Sequence, residues 1–434
     1  MANFKVKNGL QAGRYLLNST TLSGSTIDLS LANMFSTTLS SDPAYAFTNP
    51  PPSGTAQAFS VEVTGGTTNF TNDAFATTLY TGNSGTQTIT NGIDLAGDGG
   101  LVIVRGRNVA SNTFVFDTER GASKYIMTAS TNAEGTQSTG VNSFNSSGFV
   151  TGSYAGTNST GTNYVSWAFK KQAKFFDIVT YTGNSTAGRT VSHNLGATPG
   201  MIIVKVTNAS DDWRVYHRGV DPTAPEDYVL YLNATTAKTN VPRWNDTPPT
   251  STEFTLGADT SVNGSGLTYV AYLFAHDTAS DSRIQCGGFT TDSVDHATIT
   301  LGWKPQWLLV KRSDNSAAGD WRIIDSVRGV TDTGDAAYLE ANTTDVEAQT
   351  GNGIYTFTNT GFTQDNLGAN RQYIYTAIRA STATDSAITW PSLVKWPSGL
   401  APTTPAAGTK DLFTFLTTDG GTTYYGKKAA GGIA

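Results

Sequence analysis

The chain has 434 residues, of which 38% are hydrophobic, 11% aromatic and 14% charged, with a formal net charge of −6. The aromatic and apolar content excludes a disordered chain, and the acidic balance argues against a nucleic-acid partner, which needs a basic face. Cys286 is the single cysteine, which excludes an internal disulfide, a redox pair and a cysteine zinc site.

The N-terminal stretch Met-Ala-Asn-Phe-Lys-Val-Lys-Asn-Gly-Leu lacks the apolar core of a secretory signal. No apolar run approaches the ~18 residues of a membrane span. A soluble protein made in a cytoplasm, without membrane insertion, is expected. Residues 1–64 then offer short strand candidates: Ile27-Asp-Leu, Met34 to Leu39, Ala44 to Phe47, and Ala58-Phe-Ser-Val-Glu-Val63. The last alternates cleanly, with Phe59, Val61 and Val63 on one face.

From residue 76 onward the chain repeats itself. Tyr-Thr-Gly-Asn occurs at 80–83 and 181–184. An apolar run ending in a base occurs three times, as Leu101 to Arg105, Met201 to Lys205 and Trp307 to Lys311. Each is followed by an aromatic-to-Arg-Gly segment (Phe114–Gly121, Trp213–Gly219, Trp321–Gly329). Each unit closes on an aromatic strand: Tyr164 to Phe169, Tyr269 to Phe274, Tyr373 to Ile378. These strands break strict alternation and read as buried on both faces or bulged. Three β-sandwich modules of a jelly-roll-like kind are expected at 76–172, 175–278 and 283–380, because short strands recur every 8–12 residues or so. Module one lacks the Trp found at 213 and 321, and module three carries Cys-Gly-Gly-Phe at 286–289 where the others carry Tyr-Thr-Gly-Asn.

Residues 386–434 add Ile388-Thr-Trp390, Asp411 to Leu416 and Thr422 to Tyr425. Neither terminal piece has enough chain for a core alone. Together, 1–64 plus 386–434 predict one all-β domain split by the three modules, with Val63 and Ile388 as spatial neighbours in a single sheet-built unit.

The runs Asp28 to Phe35 and Tyr45 to Val63, continued by Ile388 to Trp396 and Phe413 to Gly426, resemble a module of tail-fibre and minor structural proteins of tailed bacteriophages. Asp117-Thr-Glu-Arg-Gly121, Phe176 to Asn184, Trp244-Asn-Asp246 and Pro249-Thr-Ser251 are similar to a repeat of tail-fibre-like proteins of marine cyanophages. The resemblance implies a virion protein, and its motifs carry β-structure and turns with no reaction chemistry.

Candidate site residues are few. His193, His217, His276 and His296 fall at non-equivalent places without metal-ligand spacing. His193 reads as a turn residue and His217 as a surface residue that could meet an acidic sugar beside Arg218. Asp94, Asp98, Asp211, Asp212, Asp332 and Asp335 lie in loops, where a glycosidase would need two carboxylates across a cleft about 5–10 Å wide. Lys170, Lys171 and Lys174, with Lys427 and Lys428, read as solvated. Among the tryptophans, Trp307 and Trp390 read as core. Trp213, Trp244 and Trp321 sit beside polar or proline-rich loops and are the candidate glycan platforms, since an indole stacks on a sugar face and donates its N–H.

The expectation is a non-enzymatic virion protein, a tail-fibre or fibre-like component that attaches to a host-surface glycan. Its expected partners are other virion proteins and that glycan, as a homo-oligomer of three copies, with no cofactor and no metal. A capsid-decoration or tail-adaptor role and a host-polysaccharide depolymerase are the alternatives.

Overall fold

The computed structural model describes residues 19–22, 26–38, 45–53, 55–64, 67–70, 73–279, 281–315, 319–330, 336–350, 354–385, 388, 390–397, 399, 401–402 and 409–433. The fold is all-β, built from several separate sheets. The chain divides into two compact units, residues 1–71 with 381–434, and residues 72–380.

The first unit joins the two ends of the chain. Gln57–Thr64 has Lys410–Thr417 as its antiparallel neighbour, with Val63 opposite Asp411 and Phe59 opposite Phe415. Its other edge pairs in parallel with Met34–Thr38, which in turn pairs with Ser19–Thr21. The alternation read from Ala58 to Val63 is observed, with Phe59, Val61 and Val63 buried. These side chains meet Phe413, Phe415 and Tyr424 from the distant segment in one core. Two details differ from the sequence reading. The sheet partners of Val63 are Asp411 on one side and Thr37 on the other. Ile388 and Trp390 lie outside the strands and pack onto this core as side chains, Trp390 stacked on Tyr45 at 5.6 Å. Pro391 directly follows Trp390 and removes a ladder donor there. Leu39 and Ala44 lie outside the described residues.

The insertion leaves this unit through a ribbon. Thr67–Phe70 pairs antiparallel with Thr382–Asp385, Phe70 opposite Thr382. Opposed residues of such a pair stand about 5 Å apart, within reach of a two-residue turn. Replacing residues 71–381 by Asn-Gly is therefore expected to leave a domain that unfolds cooperatively and gives a dispersed amide spectrum. A collapsed spectrum would show that the ends do not form an independent core.

The second unit holds the three repeats, with matching sheets. In each, a six-stranded sheet runs in one order. Phe75–Thr81, Asn163–Lys170, Gly100–Gly106 and Phe114–Asp117 begin it in the first module. Phe176–Thr182, Thr268–Ala275, Pro199–Val206 and Arg214–His217 begin it in the second. Ile284–Thr290, Gln372–Arg379, Pro305–Arg312 and Arg322–Asp325 begin it in the third. The closing strand pairs with the opening one in the same register each time: Phe169 with Phe75, Phe274 with Phe176, Ile378 with Ile284. A smaller sheet of two or three strands covers one face of each large sheet. In module one, Ile89 and Phe149 of the small sheet pack on Val102, Val104 and Phe116 of the large one.

Tyr-Thr-Gly-Asn has a local cause. A Cβ on Gly82 would lie 2.1 Å from Ser159 O, and one on Gly183 would lie 2.2 Å from Gly264 O. Only glycine admits that backbone approach. The following Asn83 and Asn184 backbone amides donate to the buried Asn158 and Asn263 side chains.

The modules do not project separately. The other face of each large sheet meets its neighbours in one shared core, which includes Leu101, Met201 and Trp307 at one repeated position and Phe169, Phe274 and Ile378 at another. Phe169 packs edge-on against both Phe274 (5.6 Å) and Trp307 (5.7 Å). Module three pairs the largest side chain at the first position with the smallest at the second, so the shared volume is filled. Burial on both faces explains why all eight residues of Pro199–Val206 are buried and why the closing strands break alternation.

Candidate functional site

The seams between modules hold most of the unusual chemistry of this chain. The base that ends each apolar run is buried and reaches the preceding module. Lys205 Nζ donates to Thr131 O (3.1 Å) and Asp211 O (2.8 Å). Lys311 Nζ donates to Thr235 O, Arg312 O and Gly319 O. Arg105 closes the cycle by donating to Thr343 O and Asp345 O of module three. Burial pushes Lys205 and Lys311 down to about 8 and Arg105 down to about 10. The contacts run from two to one, three to two and one to three, a pseudo-threefold cycle within one chain.

Another set of equivalent contacts follows the same cycle. The last residue of the fourth strand in each large sheet is Asp117, His217 or Asp325, and each meets the closing strand of the next module. Asp117 Oδ2 accepts from Tyr272 O–H at 2.7 Å. Asp325 Oδ2 accepts from Trp167 Nε1 at 3.0 Å. His217 Nδ1 accepts from Gly219 N, which places the proton on Nε2, and Nε2 donates to Tyr375 O at 3.1 Å. Arg120 and Arg328 each bond the aspartate three residues earlier at 2.6 Å.

The three tryptophans offered as sugar platforms are inside. Trp213, Trp244 and Trp321 are 1%, 2% and 1% exposed. Trp213 Nε1 donates to Met127 O and Ser130 O of module one, and Trp321 Nε1 to Tyr231 O of module two. Trp244 Nε1 donates to Tyr228 O within its own module. The polar loops beside Trp213 and Trp321 are the edge of a seam, and the neighbouring module covers the ring. In module one Thr113 stands where they stand, and Arg105 Nη1 donates to its hydroxyl. Trp307 and Trp390 are buried as expected.

The remaining candidates sort by contact. His193 is buried in a turn, its Nδ1 accepting from Leu195 N. The surface reading of His217 is corrected: it is 1% exposed, and burial pushes it down to about 3. His276 Nδ1 accepts from Cys286 N. His296 bonds Asp365 at 2.6 Å, which raises it. Asp211 and Asp212 both bind Arg214. Asp94 accepts from Gly97 N, and Asp98 meets Lys170. Asp332 and Asp335 lie outside the described residues. Lys170 and Lys171 are not free in solvent: they pair with Asp73 and Asp98, and with Glu119 and Asp177. Lys428 meets Asp411. Among the described residues there is no group of three or more metal-ligating side chains.

His217 makes a pH prediction. Unfolded histidine titrates near 6.5, and folded His217 near 3 because burial disfavours the cation. As pH falls below about 6.5 the unfolded state takes the proton first, so stability drops by about 1.4 kcal/mol per pH unit for this one group. Urea denaturation between pH 7 and 4.5 is expected to show a shallower slope for His217→Asn by about that amount. Equal slopes would place the imidazole in a solvated state.

A family model described as "Domain of unknown function (DUF7483)" matches residues 71–381. Its span coincides with the compact body of three modules at 72–380. No curated protein matches the chain.

Proposed function

The chain belongs to this DUF7483 family through the greater part of its length, and because that description assigns no activity, we propose from sequence and geometry together that it is a virion structural protein of the tail-fibre class that presents its three-module body for host-surface attachment. The observation that carries the reading is the way the body is inserted. A self-closed body enters and leaves a split β domain through one ribbon, Thr67–Phe70 with Thr382–Asp385. That arrangement suits a presented module. It agrees with the bacteriophage resemblance of the flanking segments. The reading includes other virion proteins as partners, a host-cell glycan as receptor, and assembly of several copies, three being the expected number. Weak sites multiplied by copy number raise avidity by about 10²–10⁴.

Labelled antibody against the purified chain tests the reading. Decoration of fibres on intact particles, with adsorption of the purified protein to host cells, is the expected result. Absence of the chain from particles would overturn it.

One observation favours a second reading. The candidate sugar platforms are all buried, which is what a capsid-decoration or tail-adaptor protein, binding only its virion neighbours, would have. Particle decoration without cell adsorption would favour it. A depolymerase reading would need release of reducing sugar from host envelope material, abolished by a single Asp or Glu substitution.

A further inference from the structure

The three pseudo-equivalent seams are not alike where the Arg-Gly turn of one module crosses the opening strand of the next. Between modules three and one the strand carries Thr78 and Leu79, and between one and two it carries Val179 and Thr180. Between two and three the same register holds Gly287 and Gly288. The turn differs as well. Asp117 and Asp325 are each followed two residues later than His217 by their arginine, so the turn of module two is shorter by two residues. It lies directly on the strand: a Cβ on Gly288 would be 2.2 Å from Gly219 O.

These two changes alter the fate of the arginine. Arg120 and Arg328 are buried against their aspartates. Arg218 has a histidine before it instead, and it is exposed. Its partners are His276 Nε2 (2.6 Å) and Cys286 O (3.3 Å), neither of them anionic. Burial and Arg218 itself hold His276 down at about 4, so the imidazole accepts as the neutral form.

Beside this turn opens a cleft of about 400 Å³, larger than the equivalent cleft of about 290 Å³ at the seam of modules one and two. It falls in the range of small-ligand sites, roughly 300–1,000 Å³. Arg218, Lys238, Asp221 and Gln372 line it together with the rings of Phe289 and Tyr373. Those two rings are stacked at 5.3 Å. Lys238 is already bonded to Asp221 (3.3 Å) and to Val220 O. Among these charged groups Arg218 is the cation left without a carboxylate. A guanidinium presented in this way matches a carboxylate with paired N–H donors.

We infer that the cleft between modules two and three binds the carboxylate of an acidic sugar, with Arg218 as the group that meets it and the polar rim as the contact for its hydroxyls. The choice of a sugar rests on the attachment reading above. The choice of an acid rests on Arg218. The buried tryptophans take no part.

Titration of the full chain with glucuronic and galacturonic acids, followed by saturation-transfer NMR, tests this. Glucose is the neutral control, and Lys124→Gln, on module one, is the control variant. Saturable binding of at least one uronate, absent with glucose and at least tenfold weaker in Arg218→Gln but unchanged in Lys124→Gln, is expected. Added salt should weaken it. Absence of saturable binding in the folded protein, or equal binding by Arg218→Gln, overturns the inference. The two readings fail separately. Decorated, adsorbing particles with a null titration reject this site alone. A chain absent from particles rejects the attachment reading, whatever the titration gives.

Discussion

Asp325→Ala is expected to destabilise the three-module body by about 3–5 kcal/mol, the range for removing one partner of a buried ion pair. Asp325 and Arg328 side chains are both fully buried and 2.6 Å apart. The carboxylate also accepts from the Arg328 backbone amide and from Trp167 Nε1 of module one. Truncation leaves the guanidinium with Glu347 at 3.3 Å, the Ile323 carbonyl and the Trp167 ring below it at 5.1 Å. It also orphans the indole N–H at the seam. Guanidinium-chloride unfolding followed by tryptophan fluorescence measures the loss. Asp325→Leu combined with Arg328→Met is expected to cost less than Asp325→Ala, because no unpaired charge is then buried. A loss below about 1 kcal/mol for the single variant would mean the pair is solvated, as surface pairs are.

Trp321→Ala carries a comparable cost, about 3–5 kcal/mol for a buried aromatic. The ring is 1% exposed, donates to Tyr231 O, and lies 5.9 Å from the Lys311 ammonium. Its removal opens the seam of modules two and three on a cation that burial already disfavours. Trp321→Phe keeps most of the apolar area and leaves the Tyr231 carbonyl without its donor, so it is expected to cost roughly 1–3 kcal/mol. A sugar platform would behave in the opposite way: Trp321→Ala would leave stability near wild type and abolish binding. Unfolding midpoints for the two variants decide between these roles.

Much of the architecture was legible in the residues. Arg105, Lys205 and Lys311 recur at the end of the same apolar run, and the strands that carry them occupy the same place in their sheets. The recurrence of Tyr-Thr-Gly-Asn was legible too, and its cause is structural: Gly82 and Gly183 sit where a backbone oxygen leaves no room for a Cβ. The split domain could be read because Phe59 and Val61 on one side, and Phe413 and Phe415 on the other, were half-cores in need of a partner. The seams were not legible. A strand buried against its own small sheet and against a neighbour reads the same as one buried in an isolated sandwich. His217 shows the difficulty. Its equivalents Asp117 and Asp325 are visible in the sequence, but the partner each one meets belongs to a strand of another module.

By itself the sequence determined the class, the threefold repetition, the strands and the pairing of the two chain ends. All of these follow from local periodicity, turn residues and apolar faces that must be covered. Only the tertiary structure decided that the repeats close on one another, that Trp213 and Trp321 are seam residues, and that Arg218 alone among its equivalents is exposed and has no aspartate beside it. The reason is physical: a side chain's burial and free charge depend on what packs against it from elsewhere in the chain, and neighbouring residues do not encode that contact.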